Sequence, residues 1–332
     1  MVLSSRERAH NGHLAGCYIQ ADKQLRIRTR QGISVPEEKE NSRDYQVRLF
    51  YKQKPEVSKA AILDKMDVRS PGFAPRDGKR DSDRLDFRHP SFVTNIGGKS
   101  VGATWSIQTE ELEYPGDLTP FLPALEQSWL WDDAEGPVGD SEHQLVITDQ
   151  TASNMRPMER LALMQLLVAS VVETHPCEAI YWQATEQFLH PKKFVEGLKE
   201  FAAKPWKAPG AFNVRVSRVI GYGERRDDES RDMLVDSLGL GILGWPDFQC
   251  HFRGLDWKEI QQIVYEKVLE VFEKGPKLQD GQAFPGINAS QVWKCRYEEA
   301  ILGPPRKVID IDPGIPYCAG LRYAVTAGVY VK

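Results

Sequence analysis

The segment Pro157–Thr174 constrains the fold more than any other part of the chain. It reads PMERLALMQLLVASVVET, with Leu161, Leu163, Met164, Leu166, Leu167, Val168, Val171 and Val172 spread around nearly the whole circumference of a helix. A surface helix needs one apolar stripe, whereas a helix apolar almost all round must be covered on most sides. Its longest apolar run, Leu161–Val172, is 12 residues long and includes Gln165 and Ser170. A bilayer span takes about 20 residues. The helix is therefore expected inside a globular core, between a sheet and a neighbouring helix.

Strand-like segments supply that sheet. Tyr45–Tyr51 (YQVRLFY) is rich in β-branched and aromatic residues, and His143–Thr148 and Glu178–Gln183 flank the apolar helix. Pro55 opens a predicted helix over Glu56–Met66, and Pro191–Ala203 reads as a shorter amphipathic one. Phe92–Ile96 and Ser100–Thr109 flank Gly97-Gly98, a two-residue hairpin signal. Between Arg69 and Pro90, RDGKRDSDRLDFR carries five cations and four aspartates, which predicts a solvated loop.

Further along, Asn213–Tyr222, Met233–Leu238 and Phe248–Phe252 are strand candidates, with a charged turn at Gly223–Arg231. Asp256–Lys274 has the clearest helical period: Ile260, Ile263, Val264, Val268, Val271 and Phe272 form one stripe. Asp256 and Glu259 suit a capping pair, and Gly275-Pro276 ends the helix. Val292–Tyr297 and Lys307–Ile311 are the last strands.

This order does not alternate regularly enough for a doubly wound parallel sheet. It predicts an α+β fold: mixed or antiparallel sheets with helices on one face, for which a tandem of ferredoxin-like units fits. The expected division is an N-terminal extension with short strands (1–44), a first α+β unit with the charged loop (45–142) and a second α+β unit (143–332). A chain of 332 residues, 41% hydrophobic, buries a core without staples. The near balance of 43 Lys+Arg against 47 Asp+Glu speaks against a protein that tracks nucleic-acid phosphates. Met1–His13 lacks the apolar core of a secretory signal. Cys17, Cys177, Cys250, Cys295 and Cys318 are scattered without a CxxC pair, as expected of small buried residues in a reducing compartment. A cytoplasmic protein, without membrane contact, is the expectation.

Each chemical motif has a structural reading beside the functional one. Gly239-Leu240-Gly241-Ile242-Leu243-Gly244 matches GxGxxG after a strand, but Trp245-Pro246-Asp247 follows where a dinucleotide site needs a helix to start. A bent strand-to-strand connection is the expected reading. Cys250 and His251 are adjacent on a strand, so they point to opposite faces and cannot pair for catalysis. Asp247, Gln249, His251 and Arg253 share one face, read as solvated or structural, or else as a polar site. Asp310 and Asp312 project together, without a third ligand at a readable spacing. His10 and His13 read as exposed, and Asn288-Ala289-Ser290 as a sequon without use in an unexported chain. No HExxH, GxSxG, Walker or kinase pattern occurs. No metal, cofactor or catalytic residue is assigned.

Trp129-Leu130-Trp131-Asp132-Asp133-Ala134-Glu135 joins aromatic anchors to acidic charge. Such a stretch suits an interface with a basic protein partner. The other reading is two tryptophans covering a core edge beside a solvated acidic loop.

The C-terminal stretch MLVDSLGLGILGWPDFQCHF, the long helix, an Asp280-Gly281 turn and VWKCRYEEAILGPPRK resemble the bacterial domain-of-unknown-function family 4261. The matching positions include Asp236, Leu238, Gly239, Leu240, Gly244, Pro246, Asp247, Gln249, Cys250, His251 and Phe252. Trp293, Cys295, Glu298, Pro305 and Arg306 continue it, while Trp245 stands where a smaller aliphatic residue is expected. The resemblance covers about Ser217–Gly320, with weaker echoes in GGKSVGATW and His143–Trp182. It implies a bacterial source and a shared fold, and it assigns no reaction.

Three functional expectations follow. The first is a cytoplasmic protein-binding module of immunity type, analogous to proteins that neutralise a cognate toxin such as a basic nuclease, through Trp129, Trp131, Asp132, Asp133 and Glu135. The second is an enzyme or small-molecule binder using Asp236, Asp247, His251, Arg253, Glu298 and Arg306. The third is a purely structural subunit.

Overall fold

The computed structural model describes residues 45–76, 83–96, 98–152, 155–219, 232–288 and 291–320. The expected N-terminal extension, with Cys17, His10 and His13, lies outside these residues. So do most of the charged 76–88 loop's first half, the Gly223–Arg231 turn, Ala289-Ser290 of the sequon and the last twelve residues.

The chain folds as α+β around two sheets. Strand β1 (Tyr45–Tyr51) is followed by α1 (Lys59–Arg69), the short β2 (Ala74–Pro75), and a long hairpin of β3 (Arg84–Ile96) and β4 (Lys99–Glu111). Short helices α2 (Leu122–Glu126) and α3 (Glu135–Gly139) lead to β5 (His143–Asp149), α4 (Pro157–Thr174), β6 (Ala179–Trp182), β7 (Gln187–Leu189) and α5 (Pro191–Glu200). Seven strands form the first sheet in the order β2-β3-β4-β5-β1-β6-β7. Within it, β1–α1–β4–β5–α4–β6 has the ferredoxin-like succession, its strands ordered β4-β5-β1-β6 and antiparallel throughout.

Three local expectations shift. Helix α1 starts after Ser58, whose hydroxyl accepts the Ala61 N–H at 3.3 Å, and not at Pro55. Arg84–Pro90 belongs to β3, because pairing with β4 from Arg84↔Gln108 onward outweighs its mixed charge. The segment expected to open the second unit, β5, lies between β4 and β1 in the first sheet. The division between sheets therefore falls after α5 and not at 142/143. Long-range partners of β5 decide this, and sequence proximity does not reveal them.

The second sheet holds β8 (Asn213–Val219), β9 (Asp232–Leu238), β10 (Asp247–Phe252), β11 (Ala283–Pro285), β12 (Val292–Glu299) and β13 (Lys307–Asp312), with α6 (Trp257–Lys274) after β10. Its order is β11-β12-β13-β10-β9-β8. Three strands precede the helix, and β13 runs parallel beside β10. This half is not a second ferredoxin-like unit.

One core lies between the first sheet and α1, α4 and α5, built on Val47, Leu49, Trp105, Ile147, Ile180 and Trp182. The second sheet packs Val235, Phe248, Cys250, Trp293 and Ile309 against the α6 stripe. Helix α4 serves both cores: Leu161 belongs to the second, Leu163, Met164 and Leu167 to the first. Two of its polar interruptions donate hydrogen bonds to backbone carbonyls. Gln165 donates to the Pro205 carbonyl at 3.0 Å, and Ser170 donates to the Leu166 carbonyl at 2.8 Å. On the opposite face of the first sheet, α2 and α3 cover Phe50, Ala179 and Phe188, so helices are not confined to one face there.

At the open edge of the second sheet, Gln127 meets β8. Its side-chain amide donates to the Val216 carbonyl at 3.0 Å and accepts the Val216 N–H at 3.1 Å. Cys177 is half-buried, and Cys250, Cys295 and Cys318 are buried. Among the described residues, no helix is long and apolar enough to cross a membrane.

Candidate functional site

Strand alternation sends Phe248, Cys250 and Phe252 toward α6 and Asp247, Gln249 and His251 to the other face. That far face is polar yet buried: Asp236, Asp247, Gln249 and Asp310 are at most 1% exposed. Register aligns Arg215, Asp236, Gln249, Asp310 and Arg296 in one row across β8, β9, β10, β13 and β12. The face read as solvated or structural is thus an internal one, and its charges answer one another.

Arg215 grips Asp236 with both arms of its guanidinium, at 3.0 and 2.5 Å, and also reaches Glu186 at 2.7 Å and the Gly303 carbonyl at 2.9 Å. Burial pulls the Arg215 guanidinium down, but Asp236 and Glu186 outweigh it and hold it above its usual value. Arg306 meets Asp236 at 2.6 Å and the carbonyls of Ser237, Leu302 and Pro304 at 2.9, 3.1 and 3.0 Å. Its Nε stands 3.3 Å from Asp247 Oδ2. Glu186 lies in the β6–β7 turn of the first sheet with φ +48°, a left-handed backbone held beneath Arg215.

Asp247 explains the glycine motif. Its carboxylate accepts the N–H groups of Leu240 at 3.1 Å and Gly241 at 3.2 Å, and the Ser237 hydroxyl at 3.1 Å. The backbone donors that a dinucleotide site would turn on a pyrophosphate are used on the chain's own carboxylate. No long helix follows; a single 3-10 turn over Gly241–Leu243 does, then Gly244 at φ +82°. Gly239 is required for close approach, since a Cβ there would stand 2.7 Å from the Ala211 carbonyl oxygen. Burial pushes the Asp247 carboxyl up to about 6, against the opposing pull of Arg306 and the N–H donors.

From the first sheet's side, Arg160 of α4 donates to Asp149 at 2.6 Å and to the Ile242 carbonyl in the same glycine turn, with its guanidinium 5.2 Å above the Tyr45 ring. Two arginines thus tie the sheets in opposite directions: Arg160 from the first to the second, Arg215 from the second to the first.

Of the six polar residues singled out, Asp236, Asp247 and Arg306 converge here. His251 and Arg253 join Asp232 instead, at 3.6 and 2.6 Å, with the Gly320 N–H on Asp232 at 2.9 Å. Glu298 is two strands from Asp247, with Val308 between them. Sequence reasoning missed Arg215, Glu186, Asp232, Arg160 and Asp149. Arg215 between Val214 and Val216 marked a polar strand face, but its partners come from distant segments. Among the described residues, no group of three His, Cys, Asp or Glu side chains is placed to hold a metal ion. The cluster's chemistry is mutual neutralisation, which fixes the glycine turn and joins the sheets.

The aromatic–acidic stretch divides. Trp131 packs on Phe50's cluster and meets His190 at 5.2 Å. Trp129 is 43% exposed and Leu130 54% exposed, and Trp129 stacks on Trp257 of α6, with centroids 6.5 Å apart and planes 21° apart. Asp132, Asp133 and Glu135 are exposed around them.

No curated protein and no solved structure matches the chain. Residues 236–312 match the family model described as a domain of unknown function (DUF4261). That span begins at Asp236, takes in the glycine turn, α6 and Arg306, and ends with β13, so the segment that carries much of this ion-pair cluster is similar to DUF4261, a domain of unknown function.

Proposed function

We propose that the chain is a protein-binding module of immunity type, which neutralises a cognate toxin in the cytoplasm by direct contact. The supporting observation is the pairing of half-exposed Trp129 and Leu130 with exposed Asp132, Asp133 and Glu135. Aromatic anchors beside acidic charge suit a basic surface such as that of a nuclease. The test is direct. The chain is mixed with the product of the neighbouring gene, and light scattering and calorimetry read the complex. A tight one-to-one complex that inhibits the toxin is expected; no complex at micromolar concentrations overturns the reading.

A second reading, an enzyme or small-molecule binder, draws on the convergence of Asp236, Asp247 and Arg306 and on an Asp247 carboxyl near 6. Under this reading Asp247→Asn abolishes turnover or ligand binding in a metabolite screen while the fold persists. A ligand-induced melting shift that survives the substitution counts against it.

A further inference from the structure

We infer that the exposed indole of Trp129 is the seat for an arginine side chain presented by the partner. The inference rests on the protein-binding reading above and names the chemistry at its centre.

Three features converge on that indole. Trp129 is backed by Trp257 in a near-parallel stack, so the ring is held in place while 43% of the residue stays open to solvent. A ring fixed before binding loses little conformational freedom when a partner docks. A cation already lies beside this aromatic pair: Lys258 Nζ is 5.5 Å from the Trp257 ring centroid. An indole face attracts cations through its quadrupole, more strongly for tryptophan than for other rings. Finally, Asp132 and Asp133 lie three and four residues beyond Trp129, both exposed. They supply carboxylates to a cation resting on the ring.

That combination selects arginine over lysine. A guanidinium is planar, stacks on an indole, and still directs its N–H fork at carboxylates in its own plane. An ammonium is compact and strongly hydrated, and it gains less from a flat aromatic face. Leu130, 54% exposed, supplies an apolar shoulder for the arginine stem.

Hexa-arginine and hexa-lysine peptides, titrated into the full chain at low salt, test this. Binding is followed by calorimetry and by the indole Nε1–H signal of Trp129. Hexa-arginine is expected to bind about tenfold more tightly than hexa-lysine, and to shift the Trp129 signal. Trp129→Ala removes that preference, Trp129→Phe keeps part of it, and Asp132→Asn with Asp133→Asn weakens both peptides. Equal affinity for the two peptides, or an arginine preference that survives Trp129→Ala, overturns the inference. Failure of the wider reading is separable. A toxin complex insensitive to Trp129→Ala leaves the immunity reading standing without the arginine seat. Arginine stacking without any toxin complex leaves the seat and removes the toxin.

Discussion

Arg215 of β8 and Glu186 of the β6–β7 turn meet at 2.7 Å across the boundary between the two sheets. The same guanidinium is already engaged with Asp236. The Arg215–Asp236 pair is enclosed on both sides, and such a pair is costly to break from one side, because the remaining charge loses compensation in a poorly solvated site.

Arg215→Ala is therefore expected to destabilise the fold by about 3–5 kcal/mol, read from urea unfolding. A loss below about 1 kcal/mol would mean that water reaches Asp236. Glu186 offers a sharper comparison. At φ +48° a side chain strains the backbone, so Glu186→Gly should be at least as stable as Glu186→Ala. At an ordinary helical or strand position that order is reversed.

Asp247 has its folded-state value raised from 3.8 to about 6. A raised carboxyl favours the protonated form in the fold, so its stabilising contribution is present below pH 4 and is lost as pH climbs through 6. On the order of 2–3 kcal/mol disappears over that window, at roughly 1.4 kcal/mol for each pH unit. Asp247→Asn should flatten the stability profile between pH 4 and 6. It should also lower stability throughout, since a carboxamide cannot accept all three donors from Ser237, Leu240 and Gly241. An unchanged slope in pH-dependent thermal unfolding excludes this assignment.

The glycines of the turn are not equivalent. Gly239→Ala meets both a φ of +124° and the Ala211 carbonyl at 2.7 Å, and should cost several kcal/mol or prevent folding. Gly244→Ala meets only the φ of +82°, with open space around it, and should cost about 1 kcal/mol. Equal melting temperatures for the two variants would contradict the packing described.

His175, the residue that ends α4, accepts the Ser58 N–H on Nε2 at 2.9 Å and engages Thr174 through Nδ1 at 2.8 Å. Only a neutral ring can do so. Burial lowers its value from 6.5, against a smaller opposing pull from the Glu56 carbonyl. A lowered histidine contributes stability above pH 6.5 and loses it as pH falls through the folded-state value. The stability gap between the wild type and His175→Ala should narrow on acidification, followed by denaturant unfolding at stepped pH. A gap that widens would reverse the sign.

Much of the scaffold is legible in the sequence. The α4 bounds and the α6 cap follow from Pro157, Asp256 and Gly275, whose effects act within one helical turn. The bend at Gly239–Gly244 was legible for the same reason: a strand, Trp245-Pro246 and no room for a helix. What escaped depends on partners far along the chain. Nothing near β5 announces that β1 and β4 will flank it. The far face of β10 alternates like a solvated one, and only Arg215, Arg306 and the 302–304 carbonyls turn it inward. Of the aromatic stretch, composition named the residues, but only distant contacts tell them apart: Trp131 packs on the Phe50 cluster and His190, while Trp129 stacks on Trp257, 128 positions away, and stays half-exposed.

Gln127 carries a consequence for how safely such a chain lives at high concentration. With one amide it occupies both main-chain groups of Val216 on β8, the outermost rung of the second sheet. An open rung recruits extended chains from other molecules. Until the segment holding Gln127 docks, nascent copies are mutual hazards; once it docks, a single side chain imitates a neighbouring strand and ends the sheet. Replacing it would leave the folded core intact and show first as turbidity, not as a lower melting point.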